Sequence, residues 1–253
     1  MKVTFLGTAS GMPVIDRASS AILCEQDGQN ILLDAGEGLT RRVLQAGLDL
    51  ETISHIIISH THPDHVAGLT TFLQLLHLKK RKSPIEIFLP QEAIQPAKSL
   101  FDLSFIWPER YSFDFNINQI EDGKKIDAGK FDIIPNLTTH LDGYAEDMRK
   151  HNMKRLDAFS FIIEAKKGRL LYSADIGRLS DLEKPLAAGK IGCMIIEGMH
   201  YEMENLPAFV DKFDIGDVYI THLPMPLSEF IPPAHSPKFK IARDLMTIEV
   251  KNG

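Results

Sequence analysis

The sequence predicts a layered α/β (α+β) fold built as one domain over residues 1–253, and three observations predict it. Short apolar runs of strand length alternate with segments of helical spacing along the whole chain. Closely spaced strand pairs at the start and around residues 159–174 argue against a purely parallel, doubly wound sheet. No linker, solenoid repeat or low-complexity tract divides the chain. With 44% hydrophobic and 25% charged residues over 253 positions, it can bury a sizeable core.

In order, "KVTFLG", "SAILCE" and "NILLDAG" read as strands separated by polar or glycine-containing turns. A helix is expected from Leu39, with Leu39, Val43 and Ala46 on one face and Gly47 near its end. The strand "HIIIS" follows, then one helix carrying Val66, Leu69, Leu73 and Leu76 at helical spacing. "IEIFLP" is a strand, followed by helical material from Gln91 toward Leu103. The second half repeats the alternation with "FDIIPNLTT", "FSFIIEA" and "RLLYSAD", a helix near Leu179–Ala188, then "CMIIEG", "DVYITH" and "MTIEVK".

The net charge of −6 speaks against a broad nucleic-acid-binding face, which needs clustered Lys and Arg. The one basic cluster, "HLKKRK" from His77 to Lys82, is expected to place cations at a helix end. Cys24 and Cys193 lie singly in apolar strands and read as buried spectator thiols of a reducing compartment. "MKVTFLGT" enters a strand at once, without the apolar stretch of a signal peptide, and no run has the length of a membrane span. The expected location is cytoplasmic.

The segment "ISHTHPDHVAGL" crowds His60, His62, Asp64 and His65 into six consecutive positions. Imidazole and carboxylate are ligands for zinc and its neighbours, and a catalytic site needs several of them converging. In extended chain His60 and His62 project to one side, while Asp64 and His65, at the turn into a helix, can face a second ion. His140, Asp175 and His222 stand at the same kind of position, directly after an apolar strand. Seven N/O donors exceed what a closed structural zinc site uses. The expectation is two divalent cations, zinc first, with manganese or iron as alternatives. His55, His77, His151 and His235 read as surface or core histidines.

"SHTHPDHVAGL" resembles the signature loop of the metallo-β-lactamase superfamily. "FLGTASGMPVIDRASSAILCE" and "ILLDAGEGLTRRVLQAGL" resemble its ribonuclease Z-like phosphodiesterase branch. The resemblance implies a four-layer αββα sandwich with metals at one edge of two sheets. It implies that His60, His62 and His140 hold one metal, that Asp64, His65 and His222 hold the other, and that Asp175 bridges them. Asp34 matches an early aspartate that supports the metal loop from behind, and homodimers are common among the related phosphodiesterases. Two features depart from the branch: the interval from His140 to Asp175 has no glycine- and proline-rich arm, and "CMIIEGMH" has Ile196 where a histidine precedes Glu197.

A dinuclear metal-dependent hydrolase acting on a small phosphodiester or nucleotide-type substrate is therefore expected, by attack of a hydroxide held between two cations. The alternatives are tRNA 3′ processing, with RNA ranked below a small ester, and thioester, lactone or lactam hydrolysis; a di-iron redox enzyme or a noncatalytic binding domain is more remote. Asp64 and His200 are the candidate catalytic residues, His200 as proton donor or else as a surface histidine. Arg17 is either a phosphate ligand or a solvated arginine, and the glycines of "GTASGMP" suggest a tight turn near the cleft. "LPMPLSEFIPPAHSP", Tyr111 and Trp107 are candidate pocket walls, the aromatics equally core residues.

Overall fold

The computed structural model describes residues 1–224 and 238–251. The first half runs β1 (Lys2–Gly7), β2 (Ala21–Gln26), β3 (Gln29–Leu33), α1 (Leu39–Gln45), β4 (Ile53–Ile57), α2 (Pro63–Val66), α3 (Leu69–Leu78), β5 (Ile85–Leu89), α4 (Ile94–Leu103) and β6 (Phe115–Gln119). The second runs β7 (Ile126–Asp127), β8 (Phe131–Thr138), α5 (Ala145–Lys150), β9 (Ala158–Ala165), β10 (Gly168–Tyr172), α6 (Glu183–Ala187), β11 (Ile191–Glu197), α7 (Leu206–Val210), β12 (Ile215–Thr221), β13 (Phe239–Ile241) and β14 (Thr247–Glu249).

Two mixed sheets form, ordered β14-β1-β2-β3-β4-β5-β6 and β13-β12-β11-β10-β9-β8-β7. Each is antiparallel on one side and parallel on the other, with the change at β3–β4 and at β10–β11. The hairpins demand the antiparallel parts, since a short turn can only reverse the chain. The helical crossovers supply the parallel β3–β4, β4–β5, β5–β6, β10–β11 and β11–β12 pairs. Strand β14, 240 residues away in sequence, closes the first sheet against β1, pairing Val3 with Ile248.

Residue alternation sorts each strand between two apolar layers. Val3, Phe5, Cys24, Ile31 and Leu33 face the core between the sheets, where they meet Phe131, Phe159, Phe161, Tyr172 and Cys193. Leu6, Leu23 and Leu32 face outward beneath Val43, Phe72, Leu73 and Phe101 of the helices on the first sheet. Ile162, Met194 and Ile196 face Leu186, Leu206 and Val210 on the second. Strands buried on both faces explain the near-continuous apolar runs of the sequence. The result is the αββα sandwich. Both cysteines are buried and free, and among the described residues no helix is long and apolar enough to cross a membrane.

Three expectations need correction. The helix expected from Val66 to Leu76 is two, because the chain breaks at Ala67–Gly68 where Gly68 N–H donates to Ala35 O at 2.8 Å. A Cβ on Gly68 would collide with the Gly36 carbonyl, so glycine alone allows that approach. The basic cluster does more than cap a helix: the buried Arg81 donates to the carbonyls of Ser83, Ile53 and Pro84 and ties the connection before β5 to the start of β4. Strands β6, β7 and β13 and helices α5 and α7 were not expected from periodicity.

Candidate metal centre

The carboxyl ends of β3, β4, β8, β10, β11 and β12 open on one rim, where an α/β sheet presents ligand-binding loops. Asp34 follows β3, His60 follows β4, His140 lies two residues beyond β8, Asp175 three beyond β10, Glu197 ends β11 and His222 follows β12. Asp34, Ala174 and His222 take left-handed backbone, at φ 60°, 45° and 52°. Such conformations are disfavoured for side-chain-bearing residues and tend to cluster where a site dictates geometry.

The donor atoms converge in overlapping groups. His60, His62, His140 and Asp175 each offer one atom within 4.8 Å of the others, as do Asp64, His65 and His222, and as do Asp175, His200 and His222. His62 Nδ1 lies 3.1 Å from His60 Nε2 and 3.1 Å from His140 Nε2. Asp175 Oδ2 lies 3.4 Å from His222 Nε2, 3.6 Å from His140 Nε2 and 3.8 Å from His60 Nε2, while its Oδ1 faces His65 Nε2 at 3.3 Å. Asp64 Oδ2 is 3.6 Å from His65 Nε2 and 3.8 Å from His222 Nε2. All seven sequence candidates thus share one cleft.

The far nitrogens of three imidazoles are anchored. His65 Nδ1 meets Asp34 Oδ2 at 2.8 Å, His60 Nδ1 meets Ser59 Oγ at 3.0 Å and His222 Nδ1 meets Ser20 Oγ at 3.0 Å. Such partners fix ring orientation and leave the other nitrogen's lone pair for a ligand. Asp34 is buried and also accepts from Ser59 N–H (2.7 Å), Ser59 O–H (3.0 Å) and Tyr172 O–H (2.7 Å). Ser20, Ser59 and Tyr172 escape sequence reasoning. Ser59 alone carries a local signal, standing next to His60.

A divalent cation fits this donor set. His65 Nε2 and Asp175 Oδ1 are buried with no hydrogen-bond partner among the described residues, which is costly unless something joins them. His62 Nδ1 can hydrogen-bond only one of the two nitrogens at 3.1 Å, so the three point as a tripod at a shared partner. Burial holds His60 well below the usual imidazole range and lowers His62 and His222, and it brings His140 down to about 4. Burial opposes the charge of Asp175 as well, yet His65, His222 and His60 hold it well below the usual carboxylate range. Burial would also lower His65, but the Asp175 and Asp34 carboxylates hold it well above. Four neutral imidazoles beside an ionised Asp175 suit zinc and similar ions, and a cation bound at His65 would displace the proton those carboxylates favour there.

His200 sits at the mouth, its side chain 37% exposed. The buried Glu197 arranges it: Oε2 accepts from the Met199 and His200 backbone N–H groups at 2.6 and 3.0 Å, and Oε1 lies 3.1 Å from His200 Nδ1. That hydrogen bond to Glu197 raises His200 above the ordinary imidazole value, against burial. Its ring centroid is 4.7 Å from that of His140. Ile196, by contrast, is core on the outer face of the second sheet.

Other wall candidates fare differently. Arg17 is half-buried and donates to Thr8 O and Pro224 O, bracing two rim loops. Tyr111 packs on the outer core of the first sheet and stacks on His77 with centroids 4.6 Å apart. Trp107 contacts Phe105 rather than the metal cluster. Gly11 of "GTASGMP" does approach the site, an added Cβ there lying 3.8 Å from Asp64 Oδ2. Residues 225–237, which hold most of "LPMPLSEFIPPAHSP" and His235, lie outside the described residues.

The two seven-stranded sheets, their flanking helices and this rim of histidines and aspartates define a metallo-β-lactamase-superfamily protein of the ribonuclease Z-like branch. More narrowly, the chain belongs to the family described as anti-Pycsar protein Apyc1, whose model matches residues 1–196. A curated ribonuclease Z of Archaeoglobus fulgidus is 29% identical over 140 residues, 55% of this chain and 44% of that protein. The chain spans about half the length of the curated relatives it matches. The short form of human tRNase Z has the same fold, with a TM-score of 0.77 at 20% identity over 100% of both chains. So has the metallo-β-lactamase-fold protein YhfI of Bacillus subtilis, with a TM-score of 0.73 at 19% identity over 98% of each.

Proposed function

We propose that this chain is a dinuclear metal-dependent hydrolase, a phosphodiesterase acting on a small phosphodiester or nucleotide-type substrate. The convergence of seven N/O donor residues, Asp175 among them, in one cleft is the observation that carries the reading. In it His60, His62 and His140 hold one cation and Asp64, His65 and His222 the other, with Asp175 shared and Asp34 orienting His65. Zinc is the first expectation from the nitrogen-rich donors, manganese or iron the alternatives. A cation pair so held supplies Lewis acidity toward phosphoryl oxygens and lowers the pKa of water.

The chain's own groups supply the rest. Glu197 holds His200 Nδ1–H and favours the protonated ring, which leaves Nε2–H as a donor at the mouth. In our reading that proton passes to the departing alkoxide oxygen, and Glu197 keeps the ring in place as it becomes neutral. The buried His60, His65, Asp175 and His222 form the floor, while His200 at the mouth can meet a leaving group.

The name of the curated relatives favours a second reading, tRNA 3′ processing. Against it stand the net charge of −6 and the short stretch from His140 to β9, which holds only a single helical turn and α5. A substrate panel on zinc- and on manganese-loaded protein separates these: bis(p-nitrophenyl) phosphate, a thioester, a lactam and a pre-tRNA. Turnover of the phosphodiester supports the proposal; cleavage of the pre-tRNA alone overturns it. A cytoplasmic homodimer completes the reading, with sedimentation velocity as the check on the dimer.

A further inference from the structure

Strand β10 touches the metal centre twice. Three residues beyond its end stands Asp175, whose Oδ1 faces His65 Nε2 at 3.3 Å. Within it, the fully buried Tyr172 crosses the core between the sheets and donates its O–H to Asp34 Oδ2 at 2.7 Å. Asp34 Oδ2 in turn holds His65 Nδ1 at 2.8 Å. The other donors to Asp34 are both on Ser59, within the metal loop. Among the described residues, Tyr172 is therefore the one donor to this carboxylate that comes from the second sheet, 138 residues away.

A buried carboxylate with fewer donors can rotate about its Cβ–Cγ bond, and whatever it orients rotates with it. The Ser59 contacts move with the loop, so they cannot fix His65 relative to Asp175. The Tyr172 contact can, because its strand also delivers Asp175.

We infer that Tyr172 is a positioning residue for metal binding: its hydroxyl, acting through Asp34, sets the gap between His65 and Asp175 that a cation spans. The inference rests on the two-cation reading above. It makes the affinity of the centre depend on how the two sheets pack, and it concerns the Asp64–His65–His222 side more than the His60–His62–His140 side.

The test is zinc titration of metal-depleted protein, by calorimetry and by competition with a chelating dye, on wild type and Tyr172→Phe. That substitution removes one oxygen and keeps the ring in the core. The expected result is about a tenfold loss of affinity at one of two sites, the scale of removing an outer partner of a ligating histidine. The other site should stay within twofold, and the metal-free variant should show an unchanged far-ultraviolet spectrum. Fluorinated tyrosine at position 172, which donates more strongly and preserves packing, should restore or tighten that one site. It also serves as the probe if Tyr172→Phe does not fold. Equal weakening of both sites, or of neither, overturns the inference. A wild type that binds no zinc overturns the two-cation reading instead.

Discussion

His65 Nε2 and Asp175 Oδ1 face each other 3.3 Å apart, both buried and, among the described residues, without any other hydrogen-bond partner. One comes from α2, which follows β4 of the first sheet, the other from three residues beyond β10 in the second. The joint between the two sheets thus carries a buried donor and acceptor, one from each sheet, that a cation between them would bind together.

Metal should accordingly stabilise the fold. Chelation should lower the thermal midpoint, and zinc at about one hundred times its Kd should restore about 2.7 kcal/mol per independent site. Differential scanning calorimetry with and without chelator measures this. A midpoint indifferent to zinc contradicts it.

Asp175→Ala and His62→Ala should not be equivalent. Asp175 lies 3.3–3.8 Å from histidines of both donor groups, so its loss should abolish both binding events, with a deficit beyond the roughly 100-fold ceiling seen for outer partners. His62→Ala removes a donor from one group and should spare binding at the other. Inductively coupled plasma mass spectrometry after dialysis gives the counts: near zero for the first, near one for the second. Turnover should be lost in both.

His200→Ala should be sensitive to the leaving group. If His200 protonates the departing oxygen, an alkyl phosphodiester should slow by about 10²–10⁴-fold in kcat. A p-nitrophenyl ester, whose leaving group is a stable anion, should slow far less. Equal slowing on both substrates would remove the proton-donor role and leave His200 as a structural or ligating histidine.

Arg81→Ala should cost stability and not chemistry. It leaves the Ile53, Ser83 and Pro84 carbonyls without their donor and opens space beneath α3, for a loss of about 2–4 kcal/mol in urea unfolding. The exposed Lys79→Ala should stay within about 0.5 kcal/mol. An unchanged urea midpoint for Arg81→Ala would refute the strut.

Reading the sequence alone found what is written locally. Long strands such as β9 and β11 show as apolar runs because both faces are buried, and the metal loop shows because four of its donor residues lie in one short segment. Strand β6 stays hidden because "FNINQ" carries polar residues on an edge strand, and β7 because two residues have no period. Tyr172 reads as one more core aromatic; its hydroxyl has meaning only beside Asp34, 138 residues away. Arg81 reads as one more cation at a helix end, since nothing adjacent in sequence announces the carbonyls that surround it. The resemblance supplied the pairing of donors into two groups, which spacing alone leaves open.

Anomalous diffraction from crystals grown with zinc tests the central claim most directly. We predict two peaks about 3.5–4 Å apart, one among His60, His62 and His140, one among Asp64, His65 and His222, with Asp175 touching both. A single peak, or peaks held by other residues, would contradict the account.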